Sequence, residues 1–182
     1  MDFTPQQARD LLRSAQLVCP AEAVNAAVTR VAINLNRALH DAYPLVLCVM
    51  RGALVFAGHL LPQLDFPLEV DTLDVTRYRN ATQGGELAFR AMPVAAVAGR
   101  TVLLIDDILD EGVTLASIRT QLMAQGALRV LIAVFAVKAI DRDRPVVADF
   151  YGVILPNRYV FGFGMDVHGF WRNLPAVYAL EP

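Results

Sequence analysis

The sequence predicts an α/β domain built on a central, largely parallel sheet flanked by helices, and three features carry that prediction. Residues 101–105 form a continuous apolar run, residues 115–125 a helical stretch closed by Gly126, and residues 129–137 a second apolar run. A strand, a crossover helix and a further strand of this kind pair in parallel. Residues 45–49 begin a similar unit, an apolar run followed by a turn at Arg51 and Gly52 and by helical periodicity over 53–61 before Pro62. Third, 55% of the chain is apolar and only 19% charged, which suits strands covered on both faces.

The remaining elements follow in order. Residues 5–15 and 21–40 carry helix formers, the second stretch with Val24, Val28, Val31, Leu35 and Leu39 at helical spacing and a break at 41–44. Residues 68–75 alternate as a strand. Residues 76–85 are polar and glycine-rich, include Arg77 and Tyr78, and are expected to form a mobile loop. A loop over 106–114 joins the apolar run at 101–105 to its helix. Residues 150–155 and 159–163 read as further strands, and 176–180 as a last short one. No internal repeat or linker interrupts the pattern, so residues 1–182 are expected to form a single domain.

A chain of 182 residues can bury roughly 70% of the surface its unfolded form exposes, enough for a core without staples. A formal charge of −2 and no long basic run argue against an electrostatic grip on nucleic acid or an anionic membrane. Cys19 and Cys48 lack a paired-thiol motif, which predicts free buried thiols and suits a reducing cytoplasm. The first residues lack the basic start and apolar run of a signal peptide, and the longest apolar stretch, 130–137, is too short to span a bilayer. The expectation is a soluble, cytoplasmic protein that acts on small molecules.

Chemistry concentrates after the run at 102–105. Asp106, Asp107, Asp110 and Glu111 place four carboxylates within six residues, at the carboxyl end of a strand where open α/β sheets bind ligands. Two such charges about 4 Å apart repel by roughly 4 kcal/mol at an effective dielectric of ~20, so they call for metal ions, ligand hydroxyls or lysines. Gly112 and Thr114, opening the next helix, offer backbone N–H groups and a hydroxyl to a phosphate. Acid at one end and an anion cradle at the other suit a ribose phosphate. A solvated acidic turn is the plainer reading, weakened by the number of acids. Calcium-loop spacing fails at Ile108 and Leu109, and no Walker, zinc or dinucleotide motif is present.

This segment resembles the signature of the type I phosphoribosyltransferases, a hydrophobic strand followed by two acids and a short phosphate-binding loop. The resemblance covers nearly the whole chain and implies a small hood, built from terminal and late segments, over the sheet. It implies that Asp106 and Asp107 engage the ribose hydroxyls, directly or through metal-bound water, and that Asp110, Glu111, Gly112, Val113 and Thr114 wrap the 5-phosphate. Four further places narrow it to the hypoxanthine-guanine branch. Arg51 and Gly52 stand where the branch has a pyrophosphate loop with a non-proline cis peptide. Lys138 stands where a lysine meets the purine's 6-oxo group, an interaction suited to a group that can only donate. Tyr159 and Val160 match a segment that stacks on the base and meets its exocyclic substituents, with Asp166 a magnesium ligand beside Asp106 and Asp107. Arg172 matches an arginine that holds pyrophosphate through its forked donors.

The resemblance therefore implies transfer of the 5-phosphoribosyl group from phosphoribosyl pyrophosphate to a 6-oxopurine, hypoxanthine or guanine. The products would be IMP or GMP and pyrophosphate, with Asp110 as general base, magnesium as cofactor and a homodimer or homotetramer as the assembly. Two departures stand out: Arg77 replaces the serine common before Tyr78, and Glu111 replaces a small hydroxyl residue. A charge inside a phosphate loop would repel its ligand, so the Glu111 side chain is expected to face water or pair with an arginine such as Arg119. Two rivals differ in class. A regulator of this fold that senses nucleotides or binds RNA lacks an obvious basic face here. A phosphoreceiver domain would carry its acidic pair near its start, whereas about a hundred residues precede Asp106.

Overall fold

The computed structural model describes residues 3–77 and 87–181. Its elements run α1 (Pro5–Ser14), β1 (Gln16–Cys19), α2 (Ala21–Leu39), β2 (Leu45–Met50), α3 (Ala53–Leu60) and β3 (Glu69–Arg77) in the first half. They continue as β4 (Leu87–Ala91), β5 (Thr101–Leu109), α4 (Val113–Ala124), β6 (Arg129–Lys138), β7 (Phe150–Leu155), β8 (Val160–Phe161) and β9 (Val177–Ala179).

Among the described residues the strands form two sheets. The larger has the order β4-β3-β2-β5-β6-β7, parallel throughout except where β4 runs against β3. The smaller, antiparallel sheet of β1, β9 and β8 joins the N-terminal segment to the late ones and forms the expected hood. β2 and β5 are neighbours, yet the chain leaves β2 through α3 toward β3 on one side and β5 through α4 toward β6 on the other. At such a switch point the crevice outside the strands' carboxyl ends is the place for a ligand.

Both faces of the large sheet are covered, which is why its strands read as unbroken apolar runs. Val46 and Cys48 of β2, Leu103 and Ile105 of β5, and Ala133 and Phe135 of β6 pack with α2 and α3. The alternate residues Leu45, Leu47, Val102, Leu104, Ile132 and Val134 pack with Leu115, Ile118 and Leu122 of α4. The two-residue period of a strand thus divides one run between two cores. Cys19 and Cys48 are buried and free, and burial raises both thiols, Cys48 to about 11.

Several boundaries differ from the sequence reading. β5 runs on to Leu109, because Asp106, Ile108 and Leu109 keep pairing with Val134, Ala136 and Val137 of β6, so the acidic pair sits on the strand and not in a loop. α4 begins two residues early, at Val113. The strand read at 159–163 shortens to Val160–Phe161, since Gly162, Phe163 and Gly164 turn with φ of +98°, +48° and +101°. Strands β1 and β4 were not foreseen, being short and without a clear apolar alternation. Thr76 and Arg77, read as loop, end β3, while Tyr78 and residues 79–85 lie outside the described residues.

Candidate active site

The floor of the crevice is set by close backbone packing. The peptide bond between Met50 and Arg51 is cis, and Gly52 follows it. A Cβ at Gly52 would lie 2.2 Å from Oδ2 of Asp107 and 2.6 Å from its Cγ, so glycine is what lets that carboxylate lie against the turn. A Cβ at Gly164 would meet the Gly52 carbonyl oxygen at 2.4 Å. Three segments distant in sequence therefore meet here: the end of β2, the end of β5 and the turn after β8. Arg51 is exposed.

Asp106 and Asp107 stand side by side on the floor. The Asp107 N–H donates to Oδ1 of Asp106 at 2.9 Å, and the Ile108 N–H to Oδ1 of Asp107 at 2.7 Å. Burial, then repulsion from Asp107, holds the Asp106 carboxyl well above the ordinary carboxylate range. Burial also raises Asp107, against the opposing pull of the Ile108 N–H and the Arg172 guanidinium. Such a pair gains from any ligand that brings positive charge or hydroxyl donors.

The loop after β5 forms a cavity of about 120 Å³ lined by Asp106, Leu109, Asp110, Glu111, Gly112 and Thr114, with Ile108 and Leu115 behind. Gly112 takes φ +79° as the N-cap of α4, so backbone N–H groups open the helix at this cavity and Val113 starts its first turn half-exposed. The Glu111 carboxylate pairs with Arg142. The expected kind of partner is present, but Arg142 takes the place foreseen for Arg119, because the segment after β6 folds back beside the loop.

A second cavity, about 240 Å³, adjoins the first and shares Asp110. Asp107, Ile108, Lys138, Tyr159, Val160, Met165 and Asp166 complete its wall. Lys138 Nζ meets Asp110 Oδ2 at 2.5 Å, which sets a donor and an acceptor next to each other on one wall. Tyr159 is 53% exposed and its hydroxyl donates to the Asp166 carbonyl at 3.2 Å, whereas Phe161 and Phe163 are core residues. Arg172 pairs with Asp166 and donates to the Gly164 carbonyl at 2.6 Å, while the Gly169 N–H donates to Oδ2 of Asp166 at 2.7 Å.

Residues 20–168 match the phosphoribosyl transferase domain. The chain belongs to that family. A hypoxanthine-guanine phosphoribosyltransferase of Bacillus subtilis is 33% identical over 162 residues, spanning 88% of this chain and 90% of the relative. A hypoxanthine-guanine-xanthine phosphoribosyltransferase of Tritrichomonas foetus is 31% identical and covers 85% of each chain. A solved hypoxanthine phosphoribosyltransferase of Staphylococcus aureus shares the fold, with a TM-score of 0.88 over 95% of each chain at 23% identity.

Of the residues singled out from the sequence, Asp106, Asp107, Asp110, Glu111, Gly112, Thr114, Lys138, Tyr159, Val160 and Asp166 line the two cavities, Gly52 packs on Asp107 and Arg172 pairs with Asp166; Arg51 and Val113 adjoin them in the chain, Tyr78 lies outside the described residues, and of Arg77 only the strand-end backbone is described. Sequence reasoning missed Ile108 and Met165 in the wall of the larger cavity and the packing role of Gly164. The pair Gly162 and Gly164 was the available signal, since two glycines one residue apart beside aromatic residues mark a turn as readily as a nucleotide loop.

Proposed function

We propose that the chain transfers the 5-phosphoribosyl group of phosphoribosyl pyrophosphate to hypoxanthine or guanine, giving IMP or GMP and pyrophosphate. The observation that carries this reading is the Lys138–Asp110 pair in the wall of the larger cavity. A 6-oxopurine presents its 6-oxo oxygen and N7 on one edge. Lys138 then donates to the oxo group, and Asp110 accepts the N7 proton. Adenine carries an amino donor at the same carbon and would leave Lys138 without an acceptor, with polar groups unpaired in a partly buried site.

The phosphoribosyl donor is assigned to the floor. The backbone of Asp110, Glu111, Gly112, Val113 and the Thr114 hydroxyl hold the 5-phosphate in the smaller cavity. Asp106 and Asp107 take the ribose hydroxyls, and Arg51 and Arg172 hold the pyrophosphate, with Gly52 keeping the turn close. Tyr159 stacks on the base, and the Val160 backbone meets its exocyclic groups. Arg77 and Tyr78 are assigned to the segment that covers the donor.

Asp106, Asp107 and Asp166 offer hard oxygen donors of the kind magnesium takes. Among the described residues no group of three or more Asp, Glu, His or Cys is arranged to hold a metal alone, which fits an ion shared with phosphate oxygens and water. Magnesium, when bound, neutralises charge on the pyrophosphate. As the bond from C1 of the ribose to pyrophosphate breaks and the bond to purine N9 forms, positive charge develops at C1, and the carboxylates of the floor face it. Asp110 takes the N7 proton as general base.

No helix among the described residues is long and apolar enough to cross a membrane. The reading sets the enzyme in the cytoplasm as a homodimer or homotetramer working on small molecules and not on nucleic acid or membranes. The test is direct: purified protein, magnesium, phosphoribosyl pyrophosphate and each purine in turn. IMP and GMP should appear with one pyrophosphate each, and loss of nucleotide formation on chelating magnesium should be reversible. Failure to form either nucleotide would remove the proposal.

A further inference from the structure

The segment that follows Lys138 contributes an arginine to which neither the sequence nor the reaction has assigned a role. Arg144 is half-buried beneath the site. Its Nε donates to the Asp110 carbonyl at 2.6 Å, and its Nη2 donates to the Lys138 carbonyl. One rigid, planar guanidinium thus bridges the backbone of the two residues whose side chains meet at 2.5 Å in the purine cavity. The same segment supports the loop again two residues on, where Val146 packs so closely that a Cβ at Gly112 would lie 3.2 Å from its Cγ1.

We infer that Arg144 is a positioning residue that fixes the spacing between Lys138 and Asp110 and so sets purine recognition. The inference rests on the reading of those two residues given above. The pairing of β5 with β6 stops at Leu109 and Val137, and beyond it Arg144 ties the two backbones together; without this bridge the lysine and the carboxylate can drift out of the separation that one purine edge requires. A forked donor suits the task because its two N–H groups are held at a fixed angle, which a lysine cannot reproduce. Of the groups assigned to the 5-phosphate, Arg144 touches the backbone of Asp110, the first of them, whereas Val113 and Thr114 are held by the start of α4 and Gly112 by its packing on Val146. Donor binding is therefore expected to depend on Arg144 far less than purine use does.

The experiment compares Arg144→Ala and Arg144→Lys with Asp110→Asn and Lys138→Met, reading kcat and KM for hypoxanthine, the affinity for magnesium phosphoribosyl pyrophosphate, and the melting temperature. Loss of two charge-assisted hydrogen bonds should lower kcat/KM for hypoxanthine by about 10- to 100-fold in Arg144→Ala, with donor affinity within about threefold of wild type. Arg144→Lys should fall between the two. Equal losses toward both substrates, or Arg144→Lys no better than Arg144→Ala, would reduce the residue to a general structural role and overturn the inference. So would wild-type purine kinetics in Arg144→Ala alongside impaired Asp110→Asn and Lys138→Met. If those two reference variants were themselves unimpaired, the reading of the purine site would fail, and the inference with it.

Discussion

The floor of the crevice and its hood are built in opposite ways. The floor is the end of β5, the loop that follows and the first residues of α4, nine consecutive residues from Asp106 to Thr114, of which Asp106, Ile108 and Leu109 pair in parallel with β6. The hood side, from Tyr159 to Arg172, has a two-residue strand and turns with positive φ at Gly162, Phe163, Gly164, His168, Gly169 and Trp171. It is held from a distance. Arg158 reaches Gln16 and the Leu180 carbonyl, the Trp171 indole N–H donates to the Ala8 carbonyl at 2.8 Å, and Phe3 stacks on His168 at 4.4 Å. On the proposed reading the sugar-phosphate side is thus encoded in one short motif, while the surface that covers the base depends on contacts contributed from both ends of the chain.

Asp110 lines both cavities, and its replacement should have the largest effect. Asp110→Asn is expected to lower turnover by about 10²-fold or more, with donor binding largely spared because the backbone still serves the loop. Single-turnover kinetics near wild type would show that the proton goes elsewhere.

Gly52→Ala should break the contact between floor and turn. The added methyl would overlap the Asp107 carboxylate at 2.2 Å, and that side chain must rotate off its hydrogen bond from Ile108. Affinity for magnesium phosphoribosyl pyrophosphate is expected to fall by about tenfold or more, equivalent to roughly 1.4 kcal/mol. A titration indistinguishable from wild type would mean that the carboxylate position is not critical to the donor.

The acidic pair gives a prediction of opposite sign for stability. With its carboxyl held above the ordinary range by burial and by Asp107, Asp106 destabilises the unliganded fold when ionised. That penalty is absent below the ordinary carboxylate pKa, where folded and unfolded forms are both protonated, and complete above the raised folded value. Asp106→Asn should therefore melt higher at neutral pH, by about 2–4 °C for roughly 1 kcal/mol in a chain of this size, while binding the donor less well. The gain should vanish as pH falls through the carboxylate range. A variant that melts lower at neutral pH would refute the penalty of holding this carboxylate ionised where it is buried beside Asp107.

The smallest effect is expected at Glu111. Its pair with Arg142 is solvent-exposed, with side-chain exposures of 46% and 59%, and such pairs are worth about 1 kcal/mol or less. Glu111→Thr should change donor affinity by less than about tenfold. Tightening by about a hundredfold would instead set the carboxylate against the phosphate, because repulsion at ~5 Å is worth roughly 3 kcal/mol per charge at a dielectric of ~20.

The same contrast explains what could be read from the sequence. The floor was legible because its meaning is local: an apolar run, two acids, then glycine and threonine opening a helix. The sheet was legible because runs such as 101–105 and 129–137 have one reading once a helix lies between them. β5 was read four residues short, since carboxylates at 106 and 107 look like the end of a strand when their pairing partner is unseen. Strand β1, the bridge from Trp171 to Ala8, the meeting of Gly52 with Gly164 and the reach of Arg144 to Asp110 and Lys138 all join residues far apart in the chain. No local pattern marks them.

The account turns on the acceptor that Lys138 and Asp110 select. The measurement that tests it most directly is the ratio of kcat/KM for hypoxanthine to that for adenine, taken with the same protein, magnesium and phosphoribosyl pyrophosphate. A donor-only lysine facing an amino group predicts a ratio of at least about 100, in the range that unpaired polar groups in a site can enforce. Equal turnover of adenine and hypoxanthine would contradict it.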